Sequence, residues 1–133
     1  STQGYSSAAS DVYKRQRQSY FMNDNIFENI MLLVIDGTNS TDPDTSELAI
    51  DVLKSAIRYA KYRMDFAIND NAWKMENDKY RTSAHNRFMD CLNIYLRYLK
   101  NSGMKVIDLS EYDRKTLGDI ACYIAYKAAI LQR

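Results

Sequence analysis

The sequence predicts an all-α protein, a compact bundle of about four helices that follows a disordered N-terminal tail. Three observations favour this fold class. Apolar residues recur at the 3.6-residue period of an α-helix over several long stretches. The chain has one Pro and four Gly in 133 residues, so few positions interrupt a helix. Residues that commonly cap helices stand at the ends of these stretches.

The N-terminal tail is expected to cover residues 1–21, which are rich in small polar residues and show no period. A single helical domain is expected to follow, at residues 22–133. Residues 11–16 (DVYKRQ) are similar to the in-frame translation of a transposase adapter used in sequencing libraries. That resemblance implies a chain assembled from metagenomic reads, whose native product starts at Met22. The alternative is an ordinary basic tail, in which residues 14–17 (KRQR) are a weak nucleic-acid signal.

The first helix is expected at residues 25–36, with Asp24 as its N-cap and Gly37 at its end. Apolar residues cover most of its circumference, which indicates burial on several sides. A buried strand through residues 31–35 is the alternative, and the cap signals argue against it. Residues 37–43 are a loop by composition.

The second helix is expected to start between Asp44 and Ser46, after Pro43, and to end near Ile68. It carries two apolar stripes on different sides, which is typical of a central helix. Three basic residues between the stripes share one exposed face: Lys54, Arg58 and Lys61.

That basic face has two interpretations. It could contact nucleic acid, but acidic residues bracket it on the same side of the helix, at Asp51 and Asp65. A solvated face with pairs of opposite charge three and four residues apart is favoured. The acidic residues are also uneven along the chain, since residues 22–47 contain six Asp or Glu and no Lys or Arg. The simplest expectation is that this acidic first hairpin docks on the basic remainder.

The third helix, at residues 81–101, carries the only histidine of the chain, His85. Its apolar residues form one stripe, and Gly103 is a plausible C-cap. The sequence is compatible with two starts for this helix. Either the helix begins after Arg81, with Thr82 or Ser83 as N-cap, or residues 70–80 form its first turns.

The last helix is expected to begin at Ser110 as N-cap, after an extended segment at residues 104–109 that covers one end of the bundle. It runs to the C-terminus with a main apolar stripe and a second, partly apolar stripe. Tyr123, Tyr126 and Ile130 form this second stripe. We expect it to be a contact surface, either for the first helix or for a second copy.

A buried polar cluster is expected from Arg81, His85 and Asp113, which helical phase directs toward the core. A buried Arg81 needs an acidic partner, and Asp113 is the best candidate by phase. Such a cluster can serve acid–base chemistry or can fix the packing of helices as an ion pair. The second role is favoured, because no nucleophile motif and no metal-ligand spacing accompany the histidine.

A family resemblance rests on three short motifs: RTxxHN at residues 81–86, Leu92-Asn93, and DRxxxGD at residues 113–119. These motifs resemble small all-helical proteins of bacteria and their mobile elements, and the likeness covers about residues 64–126. The resemblance implies an all-helical fold and a polar cluster at these positions. It implies no known activity.

The expected function is that of a small non-enzymatic binding or regulatory protein, phage or mobile-element borne, that contacts a protein partner, itself or another, through Tyr-rich helical faces. Net charge of +1 gives no bulk attraction to a polyanion. Two widely spaced cysteines, Cys91 and Cys122, are expected as buried free thiols in the cytoplasm. Neither a membrane span, a signal peptide, a cofactor nor a metal site is expected. The alternatives are a nucleic-acid-binding module that uses Lys54, Arg58 and Lys61, and a hydrolase-like enzyme that uses His85.

Overall fold

Four α-helices make up the fold of the computed structural model, which describes residues 24–131 and their side chains from residue 26 onward. In chain order they are α1 (Asp24–Thr38), α2 (Pro43–Ile68), α3 (Asn71–Asn101) and α4 (Arg114–Leu131), with a short 3₁₀ helix (Leu109–Glu111) before α4. The all-α class and the number of helices are confirmed. The predicted tail and the side chain of the predicted cap Asp24 lie outside the described residues.

The central helix is α2, as its two apolar stripes predict. It packs against α1, α3 and α4, whereas α3 and α4 barely touch each other. The buried residues on α2 are mostly small, with Val52 and Tyr59 as the larger ones among Ala49, Ser55, Ala56 and Ala60. Ala49 lies against Gly37 of α1, and Tyr59 lies between His85 of α3 and Gly118 of α4.

Aspartate side chains cap the starts of α2 and α3. The Asp42 carboxylate accepts a hydrogen bond from the Thr45 backbone N–H at 3.2 Å, and Pro43 occupies the first turn. The Asp70 carboxylate accepts one from the Trp73 backbone N–H at 2.9 Å. Residues 71–80 therefore belong to α3, which confirms the helical alternative. The alternative start after Arg81, with Thr82 or Ser83 as N-cap, is wrong.

Two glycines near helix ends have different roles. Gly103 follows the C-cap Ser102 of α3 with φ +97°, and the next N–H, of Met104, donates to the Leu99 carbonyl at 3.1 Å, so the helix ends at this glycine as predicted. Gly37 does not end α1, because the helix continues to Thr38. Its missing side chain matters for another reason: a Cβ there would collide with the Tyr95 hydroxyl and lie 2.8 Å from the Ala49 Cβ.

The segment before α4 differs from the predicted Ser110 cap. The Asp108 carboxylate accepts from both the Ser110 N–H and its hydroxyl, at 3.0 and 2.8 Å, which closes the 3₁₀ helix and leaves Ser110 no role as a cap. The cap of α4 is Asp113, whose carboxylate accepts from the Thr116 N–H at 2.7 Å. Leu109 of this segment is buried, and Val106 and Ile107 are partly buried against the core.

Candidate functional site

The predicted cluster of Arg81, His85 and Asp113 does not form. Arg81 lies inside α3, where its guanidinium pairs with Asp78 at 2.7 Å and stacks over the Phe66 ring at 5.2 Å. Asp113 is exposed and caps α4. The prediction of an Arg81–Asp113 ion pair is therefore wrong, because Arg81 finds an acid one helical turn earlier on its own helix. Only His85 of the three is buried, at 2% exposure.

A different ion pair occupies the interior, between Arg63 of α2 and Asp119 of α4. Their N–O distance is 2.6 Å, with Asp119 1% exposed and the Arg63 side chain 21% exposed. Arg63 also donates to the buried Tyr59 hydroxyl at 3.0 Å and lies over its ring. Burial by itself lowers the pKa of Arg63, but the adjacent Cys122, Tyr59 and Asp119 side chains together raise it above the ordinary value. The guanidinium therefore stays charged and joins α2 to α4.

The sequence contains a signal for this pair. Arg63 continues the three-and-four spacing of the buried α2 residues Ala56, Tyr59 and Ala60, so it points toward α4. A single cation on an otherwise apolar stripe predicts an acid on the facing helix. Asp119 stands among buried residues of α4 and is the acid that faces it.

Gly118 lets α2 and α4 approach at this point. A Cβ on Gly118 would lie 2.8 Å from an Arg63 guanidinium nitrogen and 2.8 Å from the Tyr59 hydroxyl. Any larger residue would displace the side chains that hold the ion pair. Gly118 and Asp119 therefore act together. Gly118 leaves space for the Arg63 side chain, and the Asp119 carboxylate neutralises its charge.

His85 lies beside this ion pair and is uncharged. Its Nε2–H donates to the Arg114 carbonyl oxygen at 3.0 Å, which fixes the tautomer, since a carbonyl can only accept. Its ring packs edge-on against Tyr59 at 5.2 Å. Burial lowers the pKa of His85; the hydrogen bond to the Arg114 carbonyl opposes this, and the charges of Arg114, Arg63 and Arg81 add to it. The histidine thus joins α3 to the start of α4 as a neutral donor.

The chemistry open to this cluster is limited by its burial. A general acid or base must contact the group whose proton it moves, and His85 and Asp119 are at most 2% exposed. The Cys122 thiol next to them is 1% exposed, and burial raises its pKa to about 12, so it carries no thiolate near neutral pH. This geometry gives the hydrolase hypothesis no support and is typical of an ion pair that fixes helix packing.

The second stripe of α4 divides between core and surface. Tyr123 is 1% exposed, packs edge-on against Phe27 at 5.9 Å and donates to the Glu28 carboxylate. The alternative that this stripe contacts the first helix is therefore confirmed for Tyr123. Tyr126 is half-buried beside it and Ile130 is 39% exposed. As a contact surface for a second copy the prediction is wrong for Tyr123, because α1 already covers it.

The predicted basic face of α2 is exposed as expected, with Lys54, Arg58 and Lys61 all open to solvent. Both ion pairs within the described residues, Arg63–Asp119 and Arg81–Asp78, leave these three cations out. Neither of these two ion pairs includes an acidic residue from the range 22–47. They therefore give no sign of the expected docking of the acidic first hairpin on the basic remainder.

A helical arm, residues 62–83, is the part of the surface that sequence reasoning missed. It consists of the end of α2, the two-residue turn and the first three turns of α3, and none of its residues is buried. At 1.5 Å per residue it extends about 12 Å along α2 and about 20 Å along α3 beyond the last buried residues. Three of its apolar side chains are well exposed: Ile68 at 75%, Met75 at 82% and Tyr80 at 47%.

Comparison with protein-family models, with curated proteins and with solved structures gave no match. Within residues 24–131, no helix is long and apolar enough to cross a membrane. The same range contains no group of three or more His, Cys, Asp or Glu side chains arranged to hold a metal ion.

Proposed function

We propose that this protein acts by binding another protein, and that the helical arm is the surface that binds it. The observation that carries the proposal is the contrast between the arm's composition and its burial. None of its 22 consecutive residues is fully buried, and its contacts with the core lie at its base, at Tyr62 and Arg63. The rest of the arm contains Ile68, Met75, Tyr80 and the only tryptophan of the chain, Trp73. A concentration of exposed apolar side chains in one part of a chain favours an interaction surface, and Ile68, Met75 and Tyr80 all lie on the arm.

The composition of the arm favours a protein partner. Aromatic residues, Met and Arg are enriched at the centres of protein interfaces, and the arm has all of them. The Phe66 and Trp73 rings pack edge-on at 5.2 Å, so part of the surface is already ordered before a partner binds. Residues 62–83 carry four basic and four acidic side chains. With no net charge, the arm offers no electrostatic attraction to nucleic acid.

The Arg63–Asp119 ion pair and the Arg81 contact with Phe66 hold the arm in place, and neither is a second candidate binding site. Arg63 stands at the base of the arm and connects it to α4 through Asp119. Arg81 stacks on Phe66 and so joins the two helices of the arm. These contacts hold the arm at a fixed angle to the bundle, which lowers the entropy lost on binding.

The proposal is tested by affinity capture from bacterial cell extract with three baits. The arm variant is Ile68→Ser with Met75→Ser, and the matched control is Ile94→Ser, which removes an apolar side chain of 47% exposure from the body of α3. We expect the wild type and the control to retain the same protein. Retention by the arm variant should fall tenfold or more, since loss of a central interface anchor costs about 2 kcal/mol.

Equal retention by all three baits would contradict the proposal. Circular dichroism of each bait checks that helix content is unchanged, so that a loss of binding is not a loss of fold. Loss of the same protein from the Ile94→Ser control would place the binding surface on the body of α3 instead.

A further inference from the structure

The exposed side of α2 carries a line of charged residues that ends with Asp65, four residues after Lys61. The first six members of this line are three acids followed by three bases. Successive members are three, four, three, four and three residues apart, which keeps them on one face of a helix. All are exposed except Asp51, which is half-buried. We call these six residues the charge stripe: Asp44, Glu47, Asp51, Lys54, Arg58 and Lys61.

Contacts within the helix do not account for this order. Opposite charges four residues apart stabilise a helix and like charges destabilise it. The stripe places like charges at that spacing on both sides of its centre, at Glu47 and Asp51 and again at Lys54 and Arg58. The helix dipole favours acids only in the first turn, whereas Asp51 and Lys54 lie near the middle of α2. None of the six takes part in an ion pair within the described residues.

The stripe is complementary to itself when its direction is reversed. In an antiparallel pair of α2 helices, a two-fold axis between Val52 and Leu53 matches every acid with a base. The three pairings share this midpoint, and the symmetry makes each of them twice: Asp44 with Lys61, Glu47 with Arg58, and Asp51 with Lys54.

From this complementarity we infer that two copies of the chain associate through antiparallel contact of their α2 helices. Ile50 and Ile57 lie along one edge of the stripe, half-buried and 36% exposed, and supply apolar contact beside the charges. A nucleic acid fits the stripe less well, because its phosphates would meet the acidic half as well as the basic half. The inference goes beyond the proposed function, since the stripe lies outside the helical arm.

The association is expected to be weak and sensitive to salt, since exposed ion pairs contribute little each. Sedimentation velocity should show a species of twice the 15.5 kDa monomer mass at high protein concentration. The dissociation constant should rise at least tenfold between about 0.1 M and 1 M NaCl, where the screening length falls from about 10 Å to about 3 Å.

Charge reversal gives the decisive experiment. The acid-reversed variant has an entirely basic stripe, and the base-reversed variant has an entirely acidic one. Each should be monomeric alone, and an equimolar mixture should form a heterodimer, because every contact then joins opposite charges. A variant with all six charges reversed should dimerise again. The substitutions are D44K, E47K and D51K in the first variant and K54E, R58E and K61E in the second.

A matched control reverses three exposed bases on α3, Arg87, Arg97 and Lys100, to Glu. It changes net charge as much as the base-reversed variant does and should dimerise like the wild type. If the triple variants lose helix content, the single reversals E47K and R58E carry the same test, since their mixture restores both pairings.

The inference is overturned if the wild type stays monomeric at low salt, or if the reversed variants dimerise alone. It is also overturned if their mixture fails to associate. A wild type that stays monomeric but binds double-stranded DNA, and loses that binding in the base-reversed variant, would assign the stripe's basic half to nucleic acid. Each of these outcomes is separate from capture by the arm, whose residues are unchanged in all the variants.

Discussion

Removal of Arg63 from the Arg63–Asp119 ion pair should destabilise the protein more than removal of Asp119. In Arg63→Met, the Asp119 carboxylate, 1% exposed, loses the guanidinium that lies 2.6 Å away. The free energy of unfolding should fall by about 3–5 kcal/mol, as when a buried charge loses its partner. In Asp119→Asn, Arg63 keeps 21% of its side chain in solvent and can turn toward water. The loss there should be about 1–3 kcal/mol.

The double variant separates pairing from the other effects of these substitutions. We expect Arg63→Met with Asp119→Asn to cost less than the sum of the single variants, with a coupling of about 1–3 kcal/mol in urea unfolding. The chain provides its own control in the Arg81–Asp78 pair, whose side chains are 31% and 59% exposed. Its coupling should not exceed about 0.5 kcal/mol. Equal couplings for the two pairs would refute the structural role given to Arg63 and Asp119.

Three further predictions concern single residues. The lowered pKa of His85 means that the unfolded chain binds its proton more readily, so stability should fall as pH drops below about 6.5; urea midpoints between pH 5 and 8 for the wild type and His85→Gln measure this, and an unchanged slope in the variant contradicts it. Gly37→Ala should lower the free energy of unfolding by about 1–3 kcal/mol through the clash with the Tyr95 hydroxyl. Tyr95→Phe should relieve part of that loss, and a loss equal in both backgrounds would show that the hydroxyl is not the obstacle. Because burial raises its pKa to about 12, the Cys122 thiol should react with a thiol reagent only as fast as the protein unfolds, and rapid labelling of the folded protein would show that it is accessible.

Helical phase predicts correctly where a residue points but not whether the core extends that far along the helix. Arg81 has the phase of the buried α3 residues, yet it lies on the arm, three residues before the first buried position at Ala84. Its side chain therefore meets Phe66 and Asp78 instead of an interior. The two-residue turn that ends the arm is visible in the sequence only after the Asp70 cap is recognised.

Phase also fails for residues that stand outside a helix. With Ser110 as the cap, the sequence places Asp113 in the first turn of the last helix and directs it toward the core. In the structure Asp113 is itself the N-cap, and its carboxylate accepts a hydrogen bond from the Thr116 N–H. Arg63 and Asp119 follow the opposite pattern. Both lie well inside their helices, and the spacing of apolar neighbours on each could have predicted their pairing. Tyr123 shows that a second apolar stripe can pack against another helix of the same chain. This helix is α1, the first of the two alternatives expected for the stripe.

Binding of a protein partner by the helical arm can be measured through the fluorescence emission of Trp73. This residue is the only tryptophan of the chain and packs on Phe66 within the arm. The captured protein, with its own tryptophans replaced, is titrated into the wild type and into the Ile68→Ser, Met75→Ser variant. We expect a saturable shift of Trp73 emission to shorter wavelength in the wild type, with binding weakened tenfold or more in the variant. Binding that is detected by calorimetry but leaves Trp73 emission unchanged would contradict this expectation.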